Sequence, residues 1–150
     1  MTALFREAVV DCAAITGNVA HLRACIGTPH TMAVVKANGY GHGAFEAAKA
    51  ALAGGADWLG VADIDEALAL RRDGIDAPLL AWLHEPGADF SRAVTASIDV
   101  GVSSLDQLEA VARAATNGSA RVQVKLETGL SRNGVGESEW AVFFREASRF

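Results

Sequence analysis

The sequence predicts an α/β fold and, within that class, the N-terminal part of a (β/α)8 TIM-type barrel that is incomplete in this chain. Three observations carry the expectation. Short β-rich runs alternate with helical periodicity from end to end, which argues for a parallel sheet with helices outside it. The strands also divide by face. In "RVQVKLET", Val122, Val124 and Leu126 share one side while Gln123, Lys125 and Glu127 share the other, and "IDVGVSS" sets Ile98, Val100 and Val102 against Asp99, Gly101 and Ser103. Strands buried on both sides would be apolar throughout, whereas a polar or small inner face suits a barrel near its mouth. Third, after a brief leading strand only five more can be placed, and a closed barrel of this type needs eight.

In chain order, "EAVV" reads as the short leading strand. A helix follows with Ile15, Val19, Leu22 and Ile26 on one face, stopped by Gly27 and Pro29. "MAVVK" is the next strand, and a helix around Phe45, Ala48 and Leu52 ends at Gly54-Gly55. "DWLGVA" leads into a helix opened by Asp63 with Glu66 three residues on, a capping-box pattern, and closed by Gly74. Pro78 starts "PLLAWL". "SIDVGVS" precedes a helix with a second box, Ser104 and Gln107, that ends at Asn117-Gly118. "RVQVKLET" is the last strand, followed by the loop "GLSRNGVGES" and a helix with Trp140, Phe143, Phe144 and Ala147 on one stripe. The barrel strands thus start near Thr31, Asp57, Pro78, Ser97 and Arg121. The chain ends on that aromatic stripe with no further strand to cover, as the front part of a larger protein would. The expected organisation is one partial barrel domain over residues 1–150, with the C-terminal barrel strands and a β-rich domain absent.

Composition narrows the function. A hydrophobic content of 51% in 150 residues is ample for one core. The net charge of −5 speaks against a nucleic-acid partner, because phosphate binding needs a basic surface. No apolar run approaches membrane-spanning length, and Arg6 and Glu7 interrupt any signal-peptide core. Cys12 and Cys25 fit no metal or redox spacing, so they read as buried free thiols of a cytoplasmic chain. The sequon Asn117-Gly118-Ser119 is irrelevant in that compartment.

Chemistry concentrates in "TMAVVKANGYGHGAF". Lys36 lies on the same face as Met32 and Val34 at the C-terminal end of its strand, where barrel enzymes place catalytic groups. On position alone, a strand-end lysine can be a solvated terminus. It can also be a desolvated amine of lowered pKa, able to form a Schiff base with pyridoxal phosphate. The glycines that follow run G-x-G-x-G, which fits neither a Rossmann fingerprint nor a P-loop. They let the backbone turn tightly.

"VVKANGYGHG" resembles the pyridoxal phosphate signature of bacterial alanine racemases. The resemblance continues through "VVDCAAITGNVAHLR", "ADWLGVADIDEALALRRDGIDAPLL", "VSSLDQLEAV" and "VQVKLETGLSRNGV", and so covers nearly the whole chain in order. It implies a fold-type III isomerase that interconverts L- and D-alanine and supplies D-alanine for cell-wall peptidoglycan. The cofactor would be pyridoxal 5′-phosphate on Lys36, the substrate alanine, and the full-length protein a homodimer. Lys36 would be both the cofactor lysine and the base on the D-alanine side. Tyr40 matches the tyrosine that reaches the cofactor phosphate, although a loop aromatic packed on the rim would look the same. His42 reads as a structural loop histidine.

Arg132, in the loop beyond "VQVKLET", matches the arginine of the similar motif "TGMGRLG". There it would bind the substrate carboxylate or the cofactor's phenolic oxygen, unless it is an ordinary surface arginine. This chain reads "TGLSRNG", and Leu130, Ser131 and Asn133 depart from the pattern. Lys125 matches a lysine that is carbamylated in many family members, and pairing with Glu127 is the alternative. Trp82, His84 and Glu85 in "AWLHEP" also depart from the family, Trp82 as a core residue or as packing for the cofactor ring. The second catalytic base is not in this chain, whose one tyrosine is Tyr40. The isolated chain is therefore expected to bind cofactor weakly and to racemise little or nothing. The competing expectation is a non-catalytic pyridoxal phosphate-binding barrel.

Overall fold

The computed structural model describes residues 6–115 and 118–149; Asn117 of the sequon falls outside them. Helix α1 (Cys12–Ile26) leads to strand β1 (Met32–Val34), the short left-handed segment α2 (Lys36–Tyr40) and helix α3 (Ala44–Ala53). Strand β2 (Trp58–Val61) and helix α4 (Ile64–Arg72) follow, then β3 (Leu79–Ala81) with α5 (Ser91–Thr95), and β4 (Asp99–Val102) with α6 (Leu105–Ala114). Strand β5 (Val122–Val124), a 3-10 turn at Glu137–Glu139 and helix α7 (Trp140–Ala147) complete the set. The strands start within two residues of their expected positions.

All neighbouring strands are parallel, in the order β1-β2-β3-β4-β5. That order decides between the two architectures the alternation allows. Each right-handed crossover lands its helix on the same side of the sheet when the strand order never reverses, whereas a doubly wound sheet reverses at its switch point. The α/β fold is thus the one-directional kind from which barrels are built.

The pleat sorts side chains as expected. Leu59 pairs with Leu79, and successive pairs align Val61, Ala81, Val100 and Val122 in one row across the sheet. Leu59, Val61, Leu79, Ala81, Val100 and Val102 are essentially sealed from solvent, packed in one core with Ala48, Ala67, Leu70, Ala93, Leu108, Val111 and Phe143. Burying each larger side chain stabilises the fold by about 1.5–3 kcal/mol. The other face carries Val34, Gly60, Leu80 and Asp99 in one row and Gly101 with Gln123 in another.

Asp63 caps α4 by accepting from the Glu66 amide (2.9 Å), and Ser104 caps α6 by accepting from the Gln107 amide (3.3 Å). Both returning side chains reach one residue further back than a capping box requires. Glu66 accepts from the Ala62 amide and Gln107 from the Ser103 amide.

Four expectations need correction. Residues 7–10 are exposed and belong to no strand; they do not add to the open edge of β1, which pairs with β2 alone. Helix α1 buries none of its residues. Ile15 and Val19 pack on the core, but Leu22 and Ile26 are more than half exposed. Cys12 and Cys25 are free as expected, yet neither is buried, since Cys25 lies on the open side of that helix near His21. Phe143 is fully buried on α7 while Phe144 remains 47% exposed, so the aromatic stripe is only half used.

Candidate active site

The site is built at the C-terminal ends of the strands. Directly after β1 the backbone turns left-handed: Ala37 (φ 51°, ψ 50°), Asn38 (53°, 47°) and Gly39 (63°, 34°) are followed by Tyr40 at φ 53° and Gly41 at φ 89°. Side chains pay about 1–2 kcal/mol per residue in this region, so the turn persists only because its surroundings fix it. Gly39 donates to Val35 O (2.9 Å) and Gly43 to Asn38 O (2.9 Å), and the Asn38 carboxamide caps α3 at the Ala44 amide (2.9 Å). A Cβ on Gly39 would come within 3.1 Å of the Ala47 Cβ, which explains the first glycine of the series. His42 places Nδ1 2.8 Å from Gly39 O, within its own loop.

This reversal folds Tyr40 back over the lysine. The half-buried Lys36 stands with Nζ 5.0 Å from the Tyr40 ring centroid, while the ring remains 58% exposed. Ala37, the residue after the lysine, donates its backbone N–H to Glu66 Oε1 (2.8 Å), and Ala62 at the end of β2 donates to Glu66 Oε2 (2.9 Å). A single carboxylate thus ties together the tops of two strands.

In the middle of the sheet Trp82 covers the inner face. A Cβ on Gly60 would collide with the Trp82 ring and lie 3.0 Å from Met32 Sδ, and a Cβ on Gly101 would lie 3.0 Å from Trp82 Cβ. Two strand glycines therefore make room for one indole. The His84 ring meets Phe90 edge-on at 5.1 Å, and burial pushes its pKa down.

At the other edge Lys125 donates from Nζ to Trp82 O (3.1 Å). Burial, reinforced by the charge of Arg132, holds its ammonium below the ordinary lysine pKa. Glu127 is not its counter-ion. Its carboxylate turns into the following loop and accepts backbone N–H groups there, that of Gly129 among them, and those of Ser131 and Gly129 hold its pKa below the usual range. The loop closes where the Val135 amide donates to Lys125 O (2.7 Å) and the Glu127 amide to Val135 O (2.9 Å). Gly134 allows this closure, since a Cβ there would sit 2.6 Å from the Glu127 nitrogen. Arg132 is exposed on this loop.

Lys36 and Tyr40 are thus brought together over β1, and Lys125 and Arg132 over β5. The two pairs stand at opposite edges of the sheet, four strand spacings or about 19 Å apart along a flat sheet. Barrel curvature shortens that path across the mouth. The sequence pattern gave no sign of the Glu66 bridge or of the Lys125–Trp82 bond, because both join segments far apart in the chain. Among the described residues, no group of three or more His, Cys, Asp or Glu side chains is arranged to hold a metal ion, and no helix is long and apolar enough to cross a membrane.

A family model described as "Alanine racemase, N-terminal domain" matches residues 10–150. The chain belongs to the alanine racemase N-terminal domain family. Among curated alanine racemases, the Mycolicibacterium vanbaalenii protein is 58% identical over 137 residues, 89% of this chain and 35% of that protein. The Mycobacterium tuberculosis protein is 55% identical over 139 residues, 91% of this chain and 36% of that protein. Among solved structures, alanine racemase from the D-cycloserine producer Streptomyces lavendulae superposes with a TM-score of 0.89 at 44% identity, over 92% of this chain and 37% of that one. The Bacillus anthracis alanine racemase, solved with bound L-Ala-P, gives 0.84 at 31% identity, over 99% and 39%. The chain spans a little over a third of the length of these relatives. The five parallel strands correspond to the N-terminal portion of the alanine racemase barrel.

Proposed function

We propose that this chain provides the cofactor lysine and part of the substrate site of an alanine racemase, interconverting L- and D-alanine with pyridoxal 5′-phosphate. The observation that carries the reading is the placement of Lys36 at the mouth end of β1 with Tyr40 folded over it, in a chain of this family. The residues present suit that cofactor. A half-buried primary amine can attach it, a phenol stands close by, and the exposed Arg132 guanidinium adds positive charge suited to phosphate and carboxylate groups. When bound, the cofactor supplies an electron sink that makes the Cα proton of an amino acid removable.

In this reading the Lys36 Nζ holds the cofactor and exchanges the Cα proton on the D-alanine face. The Tyr40 hydroxyl donates to the phosphate, and Arg132 orients the substrate carboxylate or the cofactor's phenolic oxygen. Lys125 reacts with carbon dioxide: its neutral amine forms the C–N bond, a proton leaves to solvent, and the resulting carbamate anion faces Arg132. Burial of Lys125 supports this by favouring the neutral amine. Residues 1–150 form a partial barrel domain to be completed by further strands and a β-rich domain, in a cytoplasmic homodimer that supplies D-alanine for peptidoglycan. The opposite-face base then comes from outside this stretch, and the isolated 150-residue chain binds cofactor weakly and turns over little or no alanine.

The test is exchange of the alanine Cα hydrogen in deuterated water by the protein as expressed from its own gene and loaded with pyridoxal phosphate. Deuterated D-alanine appearing from L-alanine is the expected result. Cofactor uptake without exchange would instead identify a non-catalytic cofactor-binding barrel, and absence of uptake would overturn both.

A further inference from the structure

We propose that Glu66 is a positioning residue for Lys36: its carboxylate holds the tops of β1 and β2 together and thereby fixes the left-handed turn that aims the lysine amine. The inference rests on the reading of Lys36 as the cofactor lysine. It starts from two hydrogen bonds, Ala37 N to Oε1 at 2.8 Å and Ala62 N to Oε2 at 2.9 Å. Both N–H groups lie just past the last ladder pairs of β1 and β2, where no strand partner remains to accept them. A bidentate carboxylate satisfies both at once, and hydrogen bonds to a charged acceptor are stronger than neutral ones.

The location gives this bridge its consequence. Ala37 is the first residue of the turn to adopt positive φ, and the peptide that Glu66 grips follows Lys36 directly. An alanine does not hold φ 51° unaided. Without the carboxylate, Ala37 can relax to an ordinary conformation, and the Lys36 Nζ and the Tyr40 ring lose their common placement. Glu66 itself is fixed from below, since its own amide is the one that caps onto Asp63 (2.9 Å). The brace therefore runs from the start of α4 through one side chain to the cofactor lysine. It touches nothing at the β5 edge, where Arg132 and Lys125 sit.

The test uses Glu66→Gln and Glu66→Ala in the protein as expressed from its own gene. Glutamine preserves the shape but offers one acceptor where two are needed, and alanine offers none. The expected pyridoxal phosphate affinity falls roughly tenfold for Glu66→Ala, about 1.4 kcal/mol, and less for Glu66→Gln. The kcat falls in the same order, while the KM for alanine stays within about twofold because the carboxylate site lies at the other edge. Amide hydrogen exchange of the cofactor-free variants should speed up at Ala37 and Ala62 with the other strand amides protected as before. Wild-type cofactor affinity and kcat in both variants would overturn the positioning role while leaving the Lys36 reading intact. So would losses in kcat, KM and global amide protection that move together, because they mark a stability effect alone. A wild-type protein that takes up no pyridoxal phosphate overturns the Lys36 reading itself, and the positioning role with it.

Discussion

Lys36 was legible as a candidate because its residue type contradicts its setting: an ammonium ends an apolar run and glycines follow it. The conformation that makes it useful was not legible, because nothing in "KANGY" forces four successive residues into left-handed space. Partners supplied by Glu66, Val35 and α3 do that. Lys125 shows the same limit. Alternation placed it on the inner face, but the expected choice between carbamylation and pairing to Glu127 ignored a backbone carbonyl, that of Trp82. Two outcomes belong to single residues. Gly60→Ala should destabilise the protein by about 1–3 kcal/mol and displace the Trp82 indole, seen as a lower denaturation midpoint with altered tryptophan emission. Lys125 titrates below its unfolded value of 10.5. The unfolded chain therefore binds more protons between the two values, and this group's contribution to stability increases as pH rises through that window. An amine-reactive reagent should accordingly reach half-maximal labelling of Lys125 at lower pH in the native protein than in denaturant.

Elements were legible where periodicity is sustained. The five strands begin within two residues of expectation, and α4 and α6 open at the expected caps, Asp63 and Ser104. The leading strand failed because a strand needs a neighbour, which a run of β-formers does not reveal. Helix α5 was missed because five residues carry too little periodicity to register. Helix α1 matched its pattern and yet stays largely open, tied instead by polar links. Arg23 reaches Asp57 (3.0 Å), and Asp57 accepts the Thr31 amide (2.9 Å) at the foot of β1. The Thr31 amide, helped by Arg23, holds the Asp57 carboxyl below its ordinary 3.8. Its contribution is therefore complete above that value and is lost as pH falls through the lower folded pKa. Asp57→Asn should lower the neutral-pH unfolding midpoint, and the gap to wild type should close in acid. At the opposite end, Phe143→Ala empties a fully buried site on α7 and should cost about 3–5 kcal/mol by denaturant unfolding.

At the scale of the whole molecule, the polar inner rows of β4 and β5 told a barrel from a doubly wound sheet, and the unbroken strand order bears that out. Both edge strands carry part of the proposed site, Lys36 after β1 and Lys125 after β5. Closure of the sheet is then what makes one cavity of two clusters, a relation that no local pattern encodes. One experiment bears most directly on the assignment of Lys36. The protein expressed from its own gene is incubated with pyridoxal phosphate, reduced with borohydride, digested and mapped by mass spectrometry. The expected result is a single phosphopyridoxyl group on Lys36, with the exposed Lys49 unmodified. Label absent from Lys36, or spread equally over Lys36, Lys49 and Lys125, would contradict it.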